Sequence, residues 1–99
     1  MCGAKAGGAP LPAGVDVRKE AIIQGVVTRG GDAVGGAYVR LLDAGGEFTA
    51  EAPTTATGQF RFFARPGSWT LRTLAPGADP VDRAVVAETG SIAEVEIQL

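Results

Sequence analysis

Cys2 is the only thiol in the 99-residue chain, and it stands directly behind Met1. A small second residue leaves Met1 open to removal by methionine aminopeptidase, which would place the thiol beside a positive α-amino group. That charge favours the thiolate, the nucleophilic form of cysteine. The plainer reading is an incidental exposed cysteine on a Gly- and Pro-rich lead-in. Other chemistry is scarce. The chain has no His, which removes the commonest general base and metal ligand together. Ser68 and the threonines therefore have no triad partner. Asp79, Asp82, Glu94 and Glu96 fit a solvated face better than a metal site. The glycine pairs at 30–31, 35–36 and 45–46 precede no helix and match no phosphate loop. Neither metal nor cofactor is expected.

The arginines form the second group. Arg61 and Arg72 lie in residues 58–74, which hold three of the four Phe and the only Trp. Phe60 and Phe62 alternate with Gln59 and Arg61, and Trp69 and Leu71 alternate with Thr70 and Arg72. The expected unit is a hairpin about residues 65–68, with Phe62 opposite Leu71, Phe60 opposite Thr73 and Ala64 opposite Trp69. In that register Arg61 and Arg72 face each other on the outer side, a destabilising arrangement unless compensated. Arg40 belongs to the outward set of its own strand. These three read as an anion or partner surface, or as cations neutralised by Glu47, Glu51 or another neighbouring acid.

A third group is apolar. Ile22, Val26, Tyr38, Leu42, Phe48 and Phe63 fall on the outward side of their strands. Clustered, they would suit a homodimer or a docking site. Scattered, or covered by residues 1–20, they would carry no function.

Positioning these groups takes a series of short strands. Residues 1–14 read as a mobile arm, and residues 15–20 as a short turn or helical lead-in. Residues 21–28 form a β-branched strand. Ile23 and Val27 share one face, with Gly25 between them where a backbone or a large ring approaches. Residues 37–42 place Ala37, Val39 and Leu41 inward, and residues 43–46 turn into a strand closed by Pro53. Beyond the central hairpin and a loop over 75–80, residues 83–88 and 92–99 make a final pair. Val95, Ile97 and Leu99 point inward. Seven strands with frequent turns and no amphipathic helix define an all-β, antiparallel-rich Greek-key β-sandwich. The expected division is an arm over 1–20 and a sandwich over 21–99.

Bulk properties set limits. A net charge of −2 favours neither nucleic acid nor an anionic membrane, and no apolar run is long enough to span a bilayer. One cysteine makes no internal disulfide, which suits a reducing cytoplasm. The start of the chain has no apolar core of a secretory signal.

Three motifs in order carry a resemblance over residues 21–75. They are Ile23-x-Gly25-x-Val27, Gly36-Ala37-x-Val39-x-Leu41, and Gly58-x-Phe60-x-Phe62 followed by Pro66-Gly67-x-Trp69-x-Leu71. Their order resembles the carboxypeptidase regulatory-like, transthyretin-like (prealbumin-like) domain, and it specifies fold rather than function. Over nearly its full length the chain also resembles a group of small actinobacterial proteins of unknown function. The match runs through Leu41-Leu42-Asp43, Glu47-Phe48-Thr49-Ala50-Glu51, Gly58, residues 60–64 and residues 66–72, with the Met-Cys start. That resemblance implies association with thiosulfate sulfurtransferases (rhodanese-like enzymes) and sulfur metabolism. Three functions stay open: a non-catalytic sulfurtransferase partner with Cys2 as sulfur acceptor, a plain interaction or dimerisation module, and a carbohydrate- or small-ligand-binding domain. The last would use Tyr38, Phe48 and Phe63 as aromatic platforms. An independent enzyme is not expected, because acid, base and nucleophile do not come together.

Overall fold

A computed structural model describes residues 19–99, which carry eight strands and no helix. Cys2, the 1–14 arm and most of the 15–20 lead-in lie outside the described residues. The strands are β1 (Ala21–Arg29), β2 (Asp32–Ala33), β3 (Tyr38–Leu42), β4 (Phe48–Pro53), β5 (Gln59–Ala64), β6 (Gly67–Leu74), β7 (Val81–Ala87) and β8 (Ser91–Gln98). They form two sheets. In the first, β1 is the central strand, with β5 and short β2 along one side and β8 along the other. The second runs β4-β3-β6-β7. Every pairing is antiparallel except β1 with β8. The all-β sandwich is as expected, with β2 as an additional strand of two residues.

Strand alternation explains the core. Ile23 and Val27 from β1, Phe60 and Phe62 from β5, and Val95 and Ile97 from β8 meet Val39, Leu41, Trp69 and Leu71 from the second sheet. Gly25 sits between Ile23 and Val27 on the inward face. A Cβ built there would lie 1.9 Å from the Val95 carbonyl oxygen and 2.9 Å from Phe60 Cζ. The gap in the side-chain row is thus filled by both a ring and a backbone. The indole of Trp69 is buried, and its Nε1–H donates to the Arg65 carbonyl at 2.8 Å, so burial strands no donor.

Two expected pairings are corrected. β5 and β6 do not form a hairpin: β5 pairs with β1, and β6 pairs with β3 and β7. Residues 65–66 carry the chain from one sheet to the other, so Phe60 and Phe62 approach Trp69 and Leu71 across the core instead of beside them. Alternation sends the same residues inward in either arrangement and therefore does not choose between them. The same holds for β7 and β8, which flank the turn at 88–90 yet join different sheets. By contrast, β3 and β4 do form the hairpin expected about residues 43–46. Asp43 Oδ1 stabilises its turn by accepting from the Gly45 and Glu47 amides, each at 2.9 Å.

Trp69→Ala should cost roughly 3–5 kcal/mol by urea denaturation. Gly25→Ala should cost about 1–3 kcal/mol or more, because a backbone must shift to admit one methyl group. A near-neutral result for either would contradict the packing described.

Candidate functional site

The outer face of the second sheet gathers most of the predicted surface residues. Arg40 on β3 is laterally paired with Arg72 on β6, with Glu51 beyond it on β4 and Asp82 beyond Arg72 on β7. The row therefore reads acid, base, base, acid across four strands. Arg40 Nε donates to Glu51 Oε2 at 2.8 Å. Arg72 binds Asp82 in a two-point fork, Nε to Oδ1 at 2.9 Å and a terminal nitrogen to Oδ2 at 3.0 Å. Each cation thus has its own carboxylate, which offsets the repulsion between the adjacent guanidinium groups. The hydrogen bond from Arg72 is the main cause that holds the Asp82 carboxyl below its usual range; desolvation opposes it, and the Arg72 charge adds to the lowering. The same hydrogen bond and charge raise Arg72.

Apolar groups border this row. Phe48 lies beneath Arg40, whose guanidinium carbon is 5.9 Å from the ring centroid, within cation–π range. Phe48 is 61% exposed, Val86 57% and Tyr38 49%, whereas Leu42 between them is buried. Tyr38 pairs laterally with Pro53 and Leu74, one row away from the charges on the other side. The aromatics of this face therefore do not form one continuous platform.

Arg61 lies elsewhere, which corrects its expected position opposite Arg72. It is on β5 of the first sheet, laterally paired with Gln24. Its Nε donates to Gln24 Oε1 at 2.9 Å, and Gln24 Nε2 donates to Glu94 Oε2 at 2.8 Å, making a polar row over β5, β1 and β8. The outward apolar set is likewise divided. Tyr38, Leu42 and Phe48 belong to the second sheet, while Ile22, Val26 and Phe63 belong to the first. Ile22 and Leu42 are not exposed at all in any useful sense: both are buried. Gln24 and the Asp82 fork were not singled out in the sequence as site features. A lone polar residue among β-branched neighbours was the available signal for Gln24. Finding the fork required knowing that β7 lies beside β6.

An open cleft of about 550 Å³ lies where residues 43–45 approach the crossing at 65–69. It contains Arg65 and Ser68, but Asp43 spends its carboxylate on its own turn, and no histidine exists to activate Ser68. Among the described residues no group of three His, Cys, Asp or Glu side chains could hold a metal ion. No helix among them is long and apolar enough to cross a membrane.

The fold and surface define a small β-sandwich domain with a charge-paired, partly apolar sheet face. Residues 2–99 match the model of a family described as a protein of unknown function, DUF1416, and the chain belongs to that family. It is similar to two uncharacterized proteins of Mycobacterium tuberculosis, Rv0814c and Rv3118. Each is 52% identical over 101 residues, covering 100% of this chain and 99% of the relative. An uncharacterized protein of Mycolicibacterium smegmatis is 53% identical over 91 residues, covering 90% of this chain and 99% of its own. Among solved structures, BcpA, the major pilin subunit of Bacillus cereus, aligns with a TM-score of 0.70 at 19% identity. That alignment covers 81% of this chain but 28% of the pilin chain. A DUF3823 family protein from Parabacteroides merdae aligns with a TM-score of 0.63 at 20% identity, covering 81% of this chain and 45% of its own. These structural likenesses establish the sandwich fold alone.

The Asp82 carboxyl is lowered in the fold, so its contribution is complete above the unfolded carboxylate range and is lost as pH falls through the folded value. Asp82→Asn should therefore lower the urea midpoint at neutral pH, and the gap to the parent should close toward acid pH. An offset constant from pH 7 to about pH 2 would contradict this ion-pair origin.

Proposed function

We propose that the chain is a non-catalytic protein-interaction module that docks a partner through the outer face of β4-β3-β6-β7. The observation that carries this reading is the exposure of Tyr38, Phe48 and Val86 on a face whose arginines already have acidic partners. Such a face offers apolar contact surface without requiring a buried, unpaired charge to be desolvated. The partner favoured by the sequence resemblance is a thiosulfate sulfurtransferase of the cytoplasm.

Cys2 gives that partnership a chemical form. It is the only thiol of the chain and falls within the span matched by the family. Its thiolate would attack the terminal sulfur of the enzyme's cysteine persulfide. A sulfur–sulfur bond to Cys2 forms, the bond to the enzyme cysteine breaks, and that cysteine leaves as a thiolate. The transfer needs no external oxidant or reductant.

Two measurements test these readings separately. Phe48→Ser should weaken binding of the sulfurtransferase from the same organism about tenfold or more, or about 1.4 kcal/mol. Phe63→Ser, on the other sheet, should leave it unchanged. Equal effects, or no binding by the parent chain, would overturn the docking face and partner. For Cys2, intact mass after incubation with thiosulfate and the enzyme should increase by one sulfur atom in a cyanide-labile form. The gain should be absent in Cys2→Ser. An unchanged thiol under turnover would remove the sulfur-acceptor role and leave the docking module.

A further inference from the structure

The cleft between the β3–β4 turn and the crossing into β6 has no part in the docking face. Residues 43–45 line it from one segment and residues 65–69 from the other. Both segments are held by bonds of their own. Asp43 Oδ1 accepts from the Gly45 and Glu47 amides, and the Asp43 carbonyl accepts from the Gly46 amide at 2.9 Å. In the other segment the Trp69 indole donates to the Arg65 carbonyl, which ties the crossing to a ring anchored in the core. A site with fixed walls loses little freedom when a ligand enters.

The charges of this cleft are not neutralised as they are elsewhere. Of the six arginines among the described residues, five reach an oxygen of the protein. Arg29 donates to the Pro76 carbonyl, Arg40 to Glu51, Arg61 to Gln24, Arg72 to Asp82 and Arg83 to the Glu96 carbonyl. Arg65 alone has no such partner among the described residues, and it is the arginine that lines the cleft. Ser68 lines it too, with its hydroxyl uncommitted. The turn engages Asp43 through Oδ1, so Oδ2 remains to accept a further hydrogen bond. The cleft therefore holds donors for an anion together with an acceptor for a cation. Ala44, Pro66 and Trp69 supply its apolar surface.

We propose that this cleft binds a free α-amino acid with an apolar side chain. Arg65 takes the carboxylate as a two-point fork, with the Ser68 hydroxyl as a further donor. Asp43 takes the ammonium, and the side chain lies against Ala44, Pro66 and Trp69. An inorganic oxyanion fits less well, because the Asp43 carboxylate shares the cleft and repels it. The volume of about 550 Å³ is in the range of small-molecule sites. The site stands independently of the sulfurtransferase reading, since Cys2, Tyr38 and Phe48 contribute nothing to it.

Trp69 is the only tryptophan of the chain and lines the cleft, so its fluorescence reports occupancy. L-Leucine added to the full-length chain at neutral pH should change that emission saturably. Isocaproate lacks the ammonium group of leucine and isopentylamine lacks its carboxylate. Each should bind about tenfold more weakly or worse. Arg65→Gln should weaken L-leucine by a similar factor and leave isopentylamine unchanged. Asp43→Asn, which keeps Oδ1 for the turn, should weaken L-leucine while leaving isocaproate no weaker. No saturable change with L-leucine in the parent chain would overturn the proposal. Equal affinity of Arg65→Gln and the parent for L-leucine would also overturn it. Isocaproate binding as tightly as L-leucine would overturn it too, and would assign a plain anion site.

Discussion

The structure depends on an absence of side chain at the centre of β1. Gly25 leaves room for the Phe60 ring and the Val95 carbonyl, which approach from the strands on either side. β1 is hydrogen-bonded to β2, β5 and β8 and unites the first sheet. A side chain at position 25 would push the β8 backbone away at Val95 and force the Phe60 ring of β5 to move. The rings of Phe60 and Phe62 fill the inward face of this sheet, while Trp69 and Leu71 fill that of the other. With so small a chain, one such contact affects a large share of the buried apolar surface.

A rigid pair of sheets gives the molecule two outer faces with different character. On one, a polar row of Arg61, Gln24 and Glu94 runs beside the apolar row of Phe63, Ile22 and Ile92. On the other, four charges cancel in pairs between exposed apolar groups. Charge pairing of exposed side chains contributes little to stability. Its value here is compositional, because it lets two arginines stand side by side without attracting an anion to relieve them. What is left to interact is mostly apolar, which supports recognition of a protein surface over binding of an oxyanion.

Much of this was legible in the residues. Ile23, Gly25 and Val27 announced both an inward face and a close approach at the glycine, and Val39 and Leu41 separated correctly from Tyr38 and Arg40. The limits were equally physical. Alternation assigns a side chain to a face but does not name the neighbouring strand. Phe60 and Phe62 followed by Trp69 and Leu71 fit a hairpin and a crossing between sheets equally well, and the crossing is what occurs. That single difference moved Arg61 to the opposite side of the molecule and put Arg40 beside Arg72. The compensating acid at Glu51 was among the expected partners, whereas Asp82 became meaningful only once β7 lay next to β6. For Ile22, an outward position implied exposure, yet the side chain is buried, and alternation alone does not encode that.

The central claim is that the β4-β3-β6-β7 face meets the partner, and hydroxyl-radical footprinting tests it most directly. In the free chain, Tyr38, Phe48 and Phe63 should all be oxidised, since each has about half or more of its surface exposed. With the sulfurtransferase bound, Tyr38 and Phe48 should become protected while Phe63 continues to react. Protection of Phe63 alone, or no change at any of the three, would contradict the account.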